Sequence, residues 1–174
     1  MIKDAFMGLY ARKQLHEISV KEICLAAGIA RTTFYNYYFD IYELLENIET
    51  ELINGLKRLN KGFASEPFQG ITAEDFHFFD ATFDYVREHR LWFRTLLDRD
   101  RDSQFIYKWR KIIKDDFRNK FRADKFYMQS EDITLSVISS ATIAIFTYWV
   151  NTDTEIPKET IIREVVYPFI HEFI

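Results

Sequence analysis

One cysteine, five glycines and three prolines are all this 174-residue chain holds of the residues that cross-link or interrupt a backbone. With Cys24 alone, an intramolecular disulfide is excluded and a reducing, cytoplasmic setting fits. So few breakers exclude the turn-rich sandwiches and barrels and favour an all-α fold. Neither sign of charge is in large excess. The net of −4 excludes a protein that coats nucleic acid through bulk charge. Met1 leads directly into IKDAFMGLYARK, a mixed segment without the apolar run of a signal peptide. There is no glycine-rich phosphate loop, no GxSxG elbow and no HExxH helix, so no enzyme is expected. DRDRD, residues 98–102, lacks the glycine and the distal glutamate of a calcium loop. His77, Asp80 and Asp84 share one helical face with His89 beyond, but such groups are far more often solvated or hydrogen-bonded than metal-bound. Neither a metal nor a cofactor is expected.

What the chain does have is aromatic side chains, 17 Phe, 10 Tyr and 3 Trp, and one informative stretch, SVKEICLAAGIARTTFYNYYFDIYELL, residues 19–45. Ser19 followed three residues on by Glu22 has the form of a capping box. Val20, Ile23, Ala26 and Ala27 recur at helical spacing, so a short helix turns an apolar face inward. Cys24 is a small residue suited to a helix crossing. Gly28 then ends the helix, since glycine enters the left-handed conformation without steric cost. A second short helix begins near Arg31 with Phe34 and Tyr38 on one face. This leaves Arg31, Thr32, Thr33, Tyr35, Asn36 and Tyr37 outward. Helix, glycine turn and a second helix with a polar and aromatic outer face is the helix-turn-helix pattern, whose second helix enters the DNA major groove. A hairpin of a buried bundle is the bland alternative, and it has no need of such an outer face.

AAGIARTTFYNYYFDIYELL resembles the signature of the TetR family of transcriptional regulators, in which an AAG turn leads into a recognition helix ending in T-F-Y or T-L-Y. The likeness is dense over about the first 50 residues and thinner beyond. It implies a helix-turn-helix head over 1–45 and an effector-binding and dimerisation body over 46–174, about nine helices in all. It also implies a homodimer on a near-palindromic double-stranded DNA operator, acting as a repressor that a small-molecule effector releases. The DNA-binding set is then Lys21, Arg31, Thr32, Thr33, Tyr35, Asn36 and Tyr37, with Tyr35 a phosphate partner. Three positions depart from the family. Met1 leaves almost no basic arm, Gln14 stands where a glycine is usual, and Ile41 replaces a lysine that contacts phosphate. Residues 1–40 carry a net of only +1. On these grounds a helical ligand-binding or protein-interaction dimer with weakened DNA binding stays open as a second reading.

Along the chain, Ile2, Ala5, Phe6, Leu9 and Tyr10 predict a first helix. Asp40 is placed to cap a long helix from about Ile41 to Gly62, with Leu44, Leu45, Ile48, Leu52, Leu56 and Leu59 inward. SEPFQGIT, residues 65–72, reads as a linker. Phe76, Phe79, Phe83 and Val86 form the stripe of the next helix. LWFRTLLD is a short one, and Ser103 to about Lys125 another. Phe76, Phe79, Phe83, Trp92, Trp109, Phe117 and Tyr148 are candidate walls of an effector pocket, although plain core is at least as good a reading.

ITLSVISSATIAIFTYWV, residues 133–150, is the one long run without charge. It touches the lower length for a membrane span, but it holds six Ser or Thr and has no flanking basic cluster, so burial is the better reading and no membrane contact is expected. Ser136, Ser140, Ala144 and Thr147 make a small-residue stripe along it. Pro157 then starts a last helix with Ile161, Ile162, Val165, Val166, Phe169 and Ile170 apolar. In the family two such terminal helices pair with their counterparts. Ser136, Ser140, Ala144, Thr147, Ile162, Val166 and Phe169 are the expected dimer contacts.

Overall fold

The computed structural model describes residues 1–61, 63, 77–98, 103–152 and 156–169; the SEPFQGIT linker, most of DRDRD, Phe76 and Ile170 lie outside them. Among the described residues the chain is all helix, with nine helices and no strand. They are α1 Ile2–Tyr10, α2 Val20–Ala27, α3 Arg31–Tyr35, α4 Ile41–Leu59, α5 His77–Glu88, α6 Arg90–Leu96, α7 Ser103–Ala123, α8 Glu131–Asn151 and α9 Lys158–Ile161, which continues through a π-helical turn at Ile162–Val166.

Local chemistry explains the head. The Ser19 Oγ accepts from the Glu22 amide at 3.3 Å while the Glu22 carboxylate accepts from the Ser19 amide at 3.0 Å. Two otherwise orphaned donors at the start of α2 are thus satisfied. Bonds from Lys13 and then Ser19 lower the Glu22 carboxyl from 4.5 to about 2. A depressed acid stabilises the fold in its charged form. That contribution is whole above 4.5 and is lost as pH falls toward about 2. Gly28 closes α2 at φ 67°, ψ 35°, and the Ile29 amide reaches back to the Cys24 carbonyl at 3.0 Å, a Schellman closure that only glycine makes cheaply. Cys24 is buried at the crossing, but Ala26 is exposed rather than inward. The α1–α2 contact uses Phe6, Met7 and Tyr10, none more than 1% exposed, so α2 needs only Ile23 and Cys24 to meet it.

Asp40 caps α4 by accepting from the Tyr42 and Glu43 amides at 2.9 and 2.8 Å. The helix ends at Leu59, three residues short of the expected Gly62, and runs unbroken through positions 45 and 46. Head and body therefore share one rod. Both head and body grip it. Lys3 of α1 pairs with Glu51, Lys108 of α7 pairs with the buried Glu49, and Asn60 donates to Asp116 of α7 at 2.8 Å. The α6 helix in turn packs on α1.

Rings fill the body. Trp109 lies 5.3 Å from Phe93 and 5.2 Å from Phe146, and Phe83 lies 4.7 Å from Phe146 and 4.9 Å from Trp149. Each such buried ring contributes about 1.5–3 kcal/mol over leaving it in water. The uncharged run forms α8 as expected, but burial within the chain is only partial, 39% of an eighteen-residue window. Its inner edge, Leu135, Ile138, Phe146 and Val150, is at most 1% exposed, while Ile133, Val137 and Tyr148 are 70%, 39% and 62% exposed.

Candidate functional site

The outward set on the head is placed by one anchor. Phe34 is fully buried and carries Tyr35 at 5.5 Å edge-on and Tyr38 at 5.8 Å. With Phe34 fixed, helical geometry turns Arg31, Thr32 and Tyr35 to solvent and leaves Thr33 half-buried. The recognition helix is one turn and a half long, so Asn36 and Tyr37 sit in the turn that follows it and are exposed there. Lys21, on α2, is exposed as well. All seven residues belong to one contiguous segment of the head.

Two exposed apolar residues stand beside them that sequence reasoning did not single out, Leu25 at 81% and Phe39 at 83%. Phe39 directly precedes the Asp40 cap, and Tyr42 beyond it is 59% exposed. With half-buried Ile41, the approach to α4 is apolar and aromatic. Contact with phosphates there would be made without a cation.

In the body, three helices, α5, α7 and α8, and the residues that follow α4 line a space of about 30 Å³, formed by Asn60, Phe63, Phe79, Thr82, Trp109, Ile113, Asp116, Phe117, Thr142 and Phe146. Of the candidate pocket residues, Phe79, Trp109 and Phe117 line it. Phe83 is packed into the core rather than facing the space, and Trp92 lies half-buried against His89 at 5.5 Å. Tyr148 is a correction, because α8 turns it outward to 62% exposure, two residues from both Phe146 and Val150 and so on the opposite side of the helix. Phe76 lies outside the described residues. Sequence reasoning missed the polar end of this space, Asn60 and Asp116. Burial pushes the Asp116 carboxyl up, and the Asn60 bond only partly opposes it. A raised acid binds its proton more tightly when folded. Stability from this group is whole below 3.8 and is lost as pH rises through the raised value.

The metal reading of α5 finds another use for its carboxylates. Lys158 reaches Asp84 at 2.8 Å and Asp80 at 3.5 Å, while His89 meets Tyr85 edge-on at 4.7 Å.

The expected interface residues divide. Ser140 and Ala144 are exposed and Thr147 half-buried on the outer face of α8. Ser136 is turned toward α7, where it accepts from Lys114 at 2.9 Å. Ile162 and Val166 are 5% and 2% exposed and belong to this chain's own core. The π-helical turn sets that register, leaving Val165 outward at 46%. Phe169 is half-buried.

Comparison with known proteins agrees with this architecture. Residues 75–167, more than half of the chain, match the TetR family's "Transcriptional regulator C-terminal region". An uncharacterised HTH-type transcriptional regulator of Bacillus subtilis (strain 168), YxbF, is 24% identical over 169 residues, covering 94% of this chain and 42% of its own length. The chain thus spans less than half of that relative. Two solved structures share the fold. One is a TetR-family transcriptional regulator from Streptomyces coelicolor, with TM-score 0.65, 20% identity, and 98% of this chain and 79% of that one covered. The other is the dihydroxyacetone kinase operon activator DhaS, with TM-score 0.63, 17% identity, and 98% and 93% covered. The chain belongs to the TetR family of transcriptional regulators.

Proposed function

We propose that the protein is a cytoplasmic, ligand-responsive repressor that binds a near-palindromic DNA operator as a homodimer, with residues 1–45 as the reading head and 46–174 as the effector-binding and dimerising body. The observation that carries the DNA reading is the outward set anchored by Phe34. A buried ring holds a short helix so that a guanidinium, hydroxyls, an amide and phenols face solvent together, which is a chemistry suited to base edges and phosphates. Dimerisation is supported by the apolar outer face of α8, since monomeric soluble proteins rarely expose contiguous apolar patches. Because α4 is one continuous rod from head to body, a ligand that moves the body end of α4 moves the head with it. A mobility shift with the DNA upstream of the protein's own gene tests the binding. A reporter behind the same DNA tests the sign, rising on deletion of the gene for a repressor and falling for an activator.

Arg31 is assigned to a guanine through O6 and N7. Arg31→Ala should weaken operator binding by about 1–3 kcal/mol and relax the preference at one base position. Unchanged affinity across a set of single-base operator variants would remove the assignment.

Ile41 gives a second expectation. Each phosphate neutralised by a cation steepens the salt dependence of binding by about one unit of slope. Ile41→Lys should therefore steepen log affinity against log salt and tighten binding to random DNA as well as to operator. An unaltered slope would show that position 41 does not face phosphate.

A further inference from the structure

Phe39 breaks a local packing rule. It directly precedes Asp40, the N-cap of α4, and an apolar side chain in that place ordinarily packs on the fourth residue of the helix. Leu44 is that residue and is fully buried, yet Phe39 is 83% exposed, so the pair is not made. Half-buried Tyr38 turns inward instead, 5.8 Å from Phe34. The backbone that carries the outward ring is tied on both sides. The Phe39 amide donates to the Glu43 carboxylate, and Asp40 accepts from the Tyr42 and Glu43 amides. A benzyl group held out in this way forgoes most of the burial that stabilises such a side chain elsewhere. Departures from local rules of this kind gather at functional surfaces.

The neighbours of Phe39 decide what it meets. Tyr37 and Tyr42 on either side of it are 68% and 59% exposed, so the ring continues the outward face of the recognition segment toward α4. The Phe39, Tyr42 and Glu43 amides are already taken by carboxylates, and Asp40 and Glu43 place two negative charges beside them. A phosphate is a poor partner for this corner. The sugar between two phosphates is uncharged and offers carbons to a ring. We propose that Phe39 packs on a deoxyribose at the edge of each operator half-site, an uncharged contact that positions the head on duplex DNA. The inference rests on the reading above that residues 1–45 bind DNA, and it names a residue and the part of the nucleotide it covers. Such a contact adds affinity without releasing counter-ions, which suits a head whose first 40 residues carry a net of only +1.

The test compares full-length wild type, Phe39→Ala and Phe39→Leu on the DNA upstream of the protein's own gene and on a random duplex. Phe39→Ala should melt like the wild type, because the ring is exposed in the free protein. It should bind both duplexes about tenfold to a hundredfold more weakly, the effect of two rings each partly covered by DNA. The slope of log affinity against log salt should stay as it was, since no cation is removed. Phe39→Leu keeps apolar surface and should recover part of the loss. Hydroxyl radicals attack the deoxyribose itself. At saturating protein, Phe39→Ala should therefore uncover sugars at the rim of each protected patch, while the protection of guanines against dimethyl sulfate is kept. A shallower salt slope would place the lost contact on a phosphate, and a loss that vanishes when thymines are replaced by uracil would place it on a base methyl. Either result would overturn the proposal, as would unchanged affinity and unchanged sugar protection. A wild type that binds neither duplex would remove the DNA reading itself, a failure seen before any variant is compared.

Discussion

A Ser140→Glu variant is expected to run as a monomer, or to precipitate, and to lose operator binding entirely although no residue of the head is touched. Ser140 is exposed on α8 between Val137 and Ala144, with Ile133 and Tyr148 extending the same face and Val165 exposed on the helix that follows. If that face meets its own symmetry mate, each interface receives two carboxylates close to the two-fold axis with no cation opposite. A buried unpaired charge costs about 3–5 kcal/mol when a partner is lacking. Two such carboxylates per interface are comparable with the roughly 8 kcal/mol that holds a micromolar dimer, so dissociation is expected. Ser140→Ala keeps the face apolar and should remain a dimer. Light scattering with a parallel gel shift reads both outcomes, and a soluble Ser140→Glu dimer with full operator affinity would place the interface elsewhere.

The second large effect is expected at Gly55, in the middle of α4. A Cβ built there would lie 2.1 Å from the Tyr85 hydroxyl oxygen and 2.4 Å from the ring carbon that bears it. The Tyr85 ring cannot yield easily. It is held edge-on by His89 at 4.7 Å and Phe93 at 5.9 Å. Glycine is therefore the residue that lets α5 approach the rod carrying the head. Gly55→Leu introduces a good helix former, so any loss comes from collision and not from propensity. Overpacking of this kind costs about 1–3 kcal/mol and sometimes more, and at roughly 2–4 °C per kcal/mol for a chain of this size the melting point should fall by several degrees. Because α5 must back away from α4, operator affinity should fall as well. Gly55→Leu combined with Tyr85→Ala should recover part of the melting loss, since the two changes meet at one contact. A single mutant as stable as the wild type would show that α4 and α5 have room to separate.

The two predictions rest on features that the sequence revealed unequally. The head was legible almost residue by residue, because its signals are local. Ser19 and Glu22 cap across three residues, Gly28 needs its positive φ, and Phe34 at helical spacing fixes which neighbours face out. Met7 was not singled out although it is fully buried, since a first helix of nine residues, two and a half turns, leaves the width of its apolar face undetermined until α2 and α6 pack on it. The Gly55 contact had one trace in the sequence, a lone glycine in an otherwise regular helix, but Tyr85 lies thirty positions away and nothing local names it.

The body was legible in outline and not in register. The apolar run of α8 says that the helix is covered, and only the packing of α7 says which side this chain covers itself. Ser136 thus turned toward Lys114, and Tyr148 turned away from the cavity. In the last helix the π-helical turn at Ile162–Val166 shifts the inward set, so Ile162 and Val166 are core and Val165 is not. The Asn60–Asp116 pair spans 56 positions, and a carboxylate on an amphipathic helix reads as surface until the partner helix is seen. Long-range polar pairs of this kind leave no periodic signal for a sequence to show.

The central claim is that two heads held by α8 read two half-sites of one operator. Hydroxyl-radical footprinting on the DNA upstream of the protein's own gene tests it in one measurement. The account predicts two protected patches related by a two-fold axis, with centres about 34–36 Å apart, one turn of the duplex, or a whole multiple of that spacing. A single unpaired patch, or uniform weak protection along the fragment, would contradict it.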